Sequence, residues 1–546
     1  MSHSLLNTAM SGINAAQVAM NVVSNNIANS KNEDYNRQTT VMTPNSGSMS
    51  SVGFVGNGVV ASAINREYNE FLSQQHNAAQ TKHAALKSYD HQIAKINNLL
   101  ADKDTSLSNA MGDFFKSLGT VESNSEDSAA RTSVLGKAEG LISRFKETDD
   151  FLRNIDLGIN AQIEQNAKDI NQYAEKIASL NNEITYMRGT GGGEPLALLD
   201  KRDEAISQLN QLVEVSVVQQ DGGVYNVSFG GGMMLVSGGK SYQLEAITSS
   251  TDNHRITLGY NNGIVETREI DERFISQGAL GGALKVRKEA VDPIRHELNQ
   301  LALVMADQFN QVQKGGFDLN NDEGIDFFKV TDPHVVTDSN NTGTAVMTVK
   351  YTNTSEVKAS DYTLKFKGGA WEVQRLSDSK MIEATKAGNT LAFDGLEVSI
   401  DATLSKEYDS YTLKTVSDVV ANLQLNLTDS SQLAAAGEKG AGPSDNRNMK
   451  KFLQLQDERL VDKKSSFAGA YASLVSKVGS DANKVKISVE TQGHIVDKLH
   501  ANRQSISGVN MDEEYGELQR LQHYYLANAR VIQTATTLFD AILAIR

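Results

Sequence analysis

The chain has 546 residues, enough for about three or four domains that each bury a core. Its 67 acidic against 52 basic side chains give a formal charge of -15, which argues against nucleic acid and anionic bilayers as partners. It contains no cysteine, which excludes disulfides, thiolate metal sites and cysteine nucleophiles and suits an oxidising exterior.

Residues 1 to 30 contain no Asp, Glu, Lys or Arg, yet are studded with Asn, Ser and Gln. They have neither the basic start nor the continuous apolar run of a secretory signal, so export without a cleaved signal peptide is expected. No window reaches 18 apolar residues, so no membrane insertion is expected. Leu6, Ile13, Met20 and Ile27 fall seven apart, with Ala9, Ala16 and Val23 between them, and this a/d seam predicts an amphipathic helix over residues 5–27.

Proline numbers only 5, none of them between Pro44 and Pro195, so long unbroken helices are permitted there. One stripe runs Leu72, Ala79, Leu86, Ile93, Leu100. A second runs Ile163, Ile170, Ile177, Ile184, flanked by Ile159, Tyr173, Leu180 and Met187. From Val213 to Ile270 the pattern changes to short alternating runs, VEVSVV, VYNVSF and YQLEAI, separated by glycine turns, which predicts a β-domain. A helical stretch near 283–313 follows, then a second β-rich block over about 344–416. Its clearest hairpin is YTLKFK, Gly368-Gly369, AWEVQRL. Residues 434–446, AAAGEKGAGPSDN, read as a linker before a helical remainder. The last helix carries Met511, Leu518, Tyr525, Ile532 and Phe539 in one register and Leu521, Asn528, Ala535 and Ile542 in another. Asn510 and Glu513 supply its expected N-terminal cap, with Asp512, Glu513 and Glu514 favouring the positive end of the helix dipole.

The expected fold is α+β and multi-domain. Terminal helices (1–40 and 505–546) form a coiled-coil-like inner domain, 41–212, 271–325 and 440–504 a long-helix bundle, and 213–270 and 326–439 two β-rich outer domains. Such a chain leaves a helical base and returns to it.

Chemical motifs are sparse. GGGMMLVSGGKS (230–241) ends like a phosphate loop, but Met234 stands where the motif needs glycine and a strand pattern follows, so a turn between strands is expected. Asp318, Asn320 and Asp322 imitate half a calcium loop, but the glycine comes late at Gly324 and Lys329 replaces the bidentate Glu, so a polar turn is expected. His76 and His83 lie two helical turns apart, too far to share a metal, and read as solvated flank positions. No catalytic residue, cofactor or metal site is expected, and the protein reads as a non-enzyme.

A helix with polar but uncharged flanks fits where other helices crowd it on several sides, because Asn and Gln satisfy one another without the desolvation cost of charge. The expected environment is the packed interior of a multi-subunit assembly. Its interface would comprise Leu6, Ile13, Met20, Val23, Ile27, Leu518, Leu521, Tyr525, Ile532, Ala535, Phe539 and Ile542.

SLLNTAMSGINAAQVAMNVVSNNIAN followed by DYNRQ resembles the amino-terminal signature of bacterial flagellar axial proteins. Asn25, Asn26, Ile27, Ala28, Asn29 and Tyr35 match the family motif at its spacing, while Asp34 replaces its Gly and Asn32 its usual Thr. SISGVNMDEEYGELQRLQHYYLANARVIQTATTLFDAIL resembles the carboxyl end of the hook-associated, hook–filament junction branch, as do DFFKSLGTVESNSEDSAAR, GKAEGLISRFK, LLDKRDEAISQLN and QDGGVYNVSF. The resemblance implies a secreted structural adaptor of the extracellular flagellum, exported through the flagellar type III channel, with terminal helices in an inner tube. Implied partners are hook protein, a second hook–filament junction protein, further copies of itself, and an export chaperone on the C-terminal helix. Alternatives are a hook- or rod-type axial component, or an axial protein with an enzymatic outer insert.

Overall fold

The computed structural model describes residues 2–50, 53–102, 106–191, 193–263 and 266–544. The chain opens with α1 (Ser2–Ala28) and then builds a helical body from α2 (Glu70–Ala101), α3 (Leu107–Ser123), α4 (Ser128–Gly189) and α5 (Leu196–Leu212). The 62 residues of α4 span roughly 90 Å at 1.5 Å per residue. The Asp127 carboxylate caps its start by accepting from the Ala129 amide, and Gly191 at φ 74° turns the chain after it. Ile159, Ile163, Ile170, Ile177 and Ile184 are all buried along it, as the stripe predicted, while Met187 emerges into solvent.

Two antiparallel sheets lie against this helix. One has the strand order Val215–Gln219, Tyr225–Phe229, Met233–Ser237, Lys240–Ser241; the other has Arg268–Glu269, Ile256–Asn261, Gln243–Thr248. The phosphate-loop mimic is therefore a hairpin turn. Three asparagines of α4, ten or eleven residues apart and so on one side of the helix, hold the sheets by backbone mimicry. Asn160 bonds His254 O and Ile256 N, Asn171 bonds both backbone groups of Leu244, and Asn181 bonds Tyr225 O and Gly238 O.

The helical stretch predicted at 283–313 is α6 (Gly278–Val286), a π-helical turn (Arg287–Val291) and α7 (Asp292–Lys314). The π turn aims the buried Arg287 at Asp156, 2.8 Å away, and at the Ile256 carbonyl. Phe309 of α7 gathers with Phe327, Phe328, Phe452 and Phe114 into the aromatic centre of the body. Asp318 accepts the amides of Asn320 and Asp322, which makes 318–322 a polar turn.

The outer β-block pairs a five-stranded sheet, ordered His334–Thr337, Ser410–Lys414, Tyr362–Lys367, Ala370–Arg375, Met381–Ile382, with a four-stranded one built on Val346–Tyr351 and Leu396–Asp401. The predicted hairpin has Lys367 opposite Ala370 and both turn glycines at positive φ, 59° and 78°, as a tight two-residue turn requires. The block is smaller than 326–439. Phe328–Lys329 pairs with Gln424–Leu425, and α8 (Val419–Asn422) packs on α4 and α7, so residues 416–436 belong to the helical body. The segment 434–446 is not a free linker: Ala434 and Ala435 are buried, Phe317 exchanges backbone hydrogen bonds with Ala436, and the Arg131 guanidinium donates to Leu433 O.

After α9 (Arg447–Gln454), α10 (Phe467–Ser507) returns along α2, and α11 (Met511–Ala544) pairs with α1. The segment assigned above to the start of the helical bundle is instead an antiparallel hairpin, Gln38–Pro44 with Val59–Arg66, lying on α1. Its faces do not alternate cleanly between buried and exposed, which is why its sequence carries no period-2 signal. Gly58, at φ 89°, brings the hairpin so close to α1 that a Cβ there would meet Ser11 Oγ at 2.0 Å.

Candidate functional site

The terminal helices form a small apolar cluster of their own, Ala19, Val23 and Leu521 with Met20, Ile27 and Leu518 against it, separate from the core of the body. They cross closely at Gly12, where a Cβ would stand 2.6 Å from Asn528 Oδ1. A polar clasp ties this pair to the rest of the molecule.

Asn26, at the end of α1, is 0% exposed. Its amide donates to Glu514 Oε2 (2.9 Å) and Gln38 O (2.8 Å), and its Oδ1 accepts from Tyr35 Oη (2.8 Å) and Gln38 N (3.0 Å). Every donor and acceptor position it directs inward is used, which offsets the cost of burying an amide. Asn25 donates to Tyr35 Oη, and Asn29 folds back on Asn25 to close the helix end. Burial, with Asp200 and Glu514 nearby, pushes the Tyr35 hydroxyl up to about 12, so it stays protonated and donates. Arg37 Nε reaches Glu514 Oε1 at 2.7 Å, and its amide donates to Ser507 O at the end of α10. The motif's asparagines and tyrosine thus join α1, the hairpin and the turn into α11. Ala28 is exposed, and Asp34 is not among the residues with positive φ; its amide donates to Asn32 Oδ1, so an Asx turn serves where the family's glycine would stand.

One step inward, Asn36 donates to Asp200 Oδ1 (2.6 Å), and Arg66 Nη1 bridges Asp200 (3.0 Å) and Asp203 (2.7 Å) on α5 while its guanidinium lies 4.2 Å from the Tyr68 ring centre. His76, expected on a solvated flank, is buried where α2 meets α10, its ring centre 5.7 Å from that of His500. Burial first, then Arg503 and His500, lower its pKa to about 4. His83 is half-buried.

Of the twelve expected interface residues, Val23, Leu521 and Ala535 are buried within this chain, and Leu6, Ile13, Met20, Ile27, Leu518, Tyr525 and Ile532 are half-buried between α1 and α11. Phe539 is exposed, and the side chain of Ile542 lies outside the described residues. Asn510 Oδ1 accepts from the Asp512 amide as a cap does, but Glu513 turns to Arg37, 3.4 Å away, instead of closing a capping box. Glu514, read above only as a dipole charge, is 1% exposed and central to the clasp. The one sequence signal for it was an acidic residue in the first turn of a helix, and nothing local separated it from Asp512 or Glu513. Beyond the clasp, α11 leaves Leu526, Val531, Leu538, Phe539 and Leu543 exposed, and α1 leaves Leu5, Met10 and Val18. Among the described residues no group of three or more His, Asp or Glu could hold a metal ion, and no helix is long and apolar enough to cross a membrane.

Three family descriptions match the chain: the flagellar hook-associated protein FlgK helical domain over residues 93–328, the D2-like domain of flagellar hook-associated protein 1 over 336–415, and the flagella basal body rod protein over 6–30. The chain is 45% identical over 546 residues to flagellar hook-associated protein 1 of Escherichia coli (strain K12), covering 100% of both. It is 44% identical over 552 residues, again with both chains fully covered, to that of Salmonella typhimurium (strain LT2). The fold is similar to the flagellar hook junction protein FlgK from Burkholderia pseudomallei, with a TM-score of 0.74 and 24% identity over 79% of this chain and 100% of that one.

Proposed function

The chain belongs to the flagellar hook-associated protein 1 family, and from that premise we propose that it is a structural subunit of the bacterial flagellum, joining hook to filament through its packed terminal helices. The observation that carries this from the molecule's side is the α1–α11 pair: a small core of its own, a polar clasp at its root, and apolar side chains left uncovered along both helices. Unpartnered apolar stripes of this kind mark surfaces that other chains cover.

On this reading further copies of the chain, hook protein and a second junction protein cover those stripes. Before export a chaperone covers the C-terminal helix, whose exposed Leu526, Leu538 and Leu543 would otherwise invite aggregation. Delivery outside the cell follows the flagellar type III route. On this reading the role is mechanical: Asn26, Tyr35, Arg37 and Glu514 at the root of the helices are spent on one another, fastening the pair to the body.

Imaging cells from which the protein has been deleted tests the proposal. Hooks without filaments, flagellin released into the medium, and recovery on restoring the chain are expected. Full-length filaments on hooks in the deletion strain would overturn it.

A further inference from the structure

We infer that the groove bounded by α1, the Gln38–Arg66 hairpin and α11 receives the outer face of α1 from a second copy of the chain. The inference rests on the junction-subunit reading and names the contact by which neighbouring copies engage.

The groove has a volume of about 680 Å³. Its floor is apolar, from Val22, Val23 and Leu521, and its rim is polar. Four rim charges cancel in pairs: Arg37 meets Glu514 at 2.7 Å and Arg520 meets Glu517 at 2.6 Å. An occupant bringing a net charge would be desolvated with no partner waiting, so the site selects for a neutral surface with some apolar content. Gln38, Thr39 and Thr40 of the hairpin and Tyr524 of α11 complete the rim with uncharged polar side chains.

The chain itself carries such a surface. Residues 1–30 are uncharged, and the face of α1 turned away from α11 presents Met10, Asn14, Gln17 and Asn21, all exposed. Met10 would meet the apolar floor, and the three amides would meet the uncharged polar rim. This accounts for the absence of charge on the flank of α1 that its own partner helix does not cover.

The two surfaces lie on opposite sides of one helix. Asn14 and Val23 are nine residues apart, and at about 100° per residue they point half a turn from one another. A two-fold pair needs the same patch on both partners, so this contact is heterologous: each copy gives its outer face and receives another's. Such a contact propagates from copy to copy around a ring or along a helical row, which is the symmetry a junction between two tubes requires.

Because the chain has no native cysteine, the contact can be tested by disulfide trapping in assembled flagella. The double variant Asn14→Cys/Tyr524→Cys and, beside it, Gln17→Cys/Arg520→Cys are supplied to a strain lacking the native chain, and the flagella are oxidised. The expected result is a ladder of linked dimers and longer species from a double variant, absent from each single-cysteine variant. Incorporation of both double variants without a ladder would overturn the groove assignment while leaving the junction role standing. A ladder from Asn14→Cys alone would also overturn it, since like faces would then meet. Failure of the unsubstituted chain to occupy the hook tip would instead overturn the junction reading.

Discussion

Replacing Asn26 with Ala should unfasten the terminal helices while leaving the body intact. The substitution removes four hydrogen bonds from a side chain with no solvent exposure. Three of the partners are neutral, and the net worth of each such bond is about 0.5–1.5 kcal/mol; the bond to the Glu514 carboxylate is worth about 1.5–3 kcal/mol. Glu514 keeps Arg37, and water can enter from the adjoining groove, so the expected cost is about 3–4 kcal/mol. The apolar cluster of the helix pair is separate from the core of the body, so the loss should appear as local opening. Hydrogen exchange reads this directly: the Arg37 amide, bonded to Ser507 O, and the amides of residues 22–28 should exchange about 100- to 1,000-fold faster, at tenfold per 1.4 kcal/mol. Amides around Ile170 in α4 should be unchanged. Asn25→Ala is the internal comparison, because Asn25 is exposed and its side-chain amide makes only two bonds, both at 3.1 Å, donating to Tyr35 Oη and accepting from Asn29 at the surface; its effect should stay under about tenfold. Exchange within twofold of the native chain for Asn26→Ala, or equal acceleration by both variants, would refute the clasp.

Ile13→Asp should spare the body yet block incorporation at the hook tip, since a carboxylate would be desolvated where Ile13 is already half-buried against α11; normal junctions would contradict this. His76 lowers its own protonation on folding, with pKa about 4 against about 6.5 unfolded, so the unfolded state binds more protons between those values. Its contribution is therefore complete above about pH 6.5 and drains away as pH falls toward 4, by at most about 3 kcal/mol at about 1.36 kcal/mol per pKa unit and by less where solvent screens the imidazolium; urea unfolding of His76→Gln should show a shallower acid slope than the native chain. Replacing residues 334–414 with a short Gly/Ser linker should leave some motility, because His334 and Lys414 are cross-strand partners and the cut ends lie side by side; complete loss of filaments despite normal export would show that the outer block is needed at the junction. Brief proteolysis of the isolated protein should trim roughly the first 40 and last 35 residues, the helices that lack outside partners, and leave the body; ends as resistant as α4 would contradict this.

The elements whose order lies in local periodicity were legible from the sequence. The isoleucine stripe of α4, the seam of α1, the register of the Gly368-Gly369 hairpin and the strand pattern of 213–270 each follow from a repeat of 3.5, 3.6 or 2 residues, which packing then satisfies without altering. The failure of the phosphate-loop and calcium-loop imitations was legible too, because a missing glycine or carboxylate is a local fact. The tertiary structure alone decided which polar groups matter. Glu514 stands beside Asp512 and Glu513 in sequence, and only the crossing of α11 over Asn26, 488 residues away, buries one and leaves its neighbours in water. His76 sits on a helix flank by its spacing, but the return of α10 along α2 covers that flank. Gln38–Pro44 and Val59–Arg66 pair as strands because α1 supplies the surface beneath them, and 416–436 rejoin the body because two-residue strands pair across about a hundred residues of chain. Desolvation and pairing depend on what the folded chain brings alongside a residue, so no window of sequence contains them.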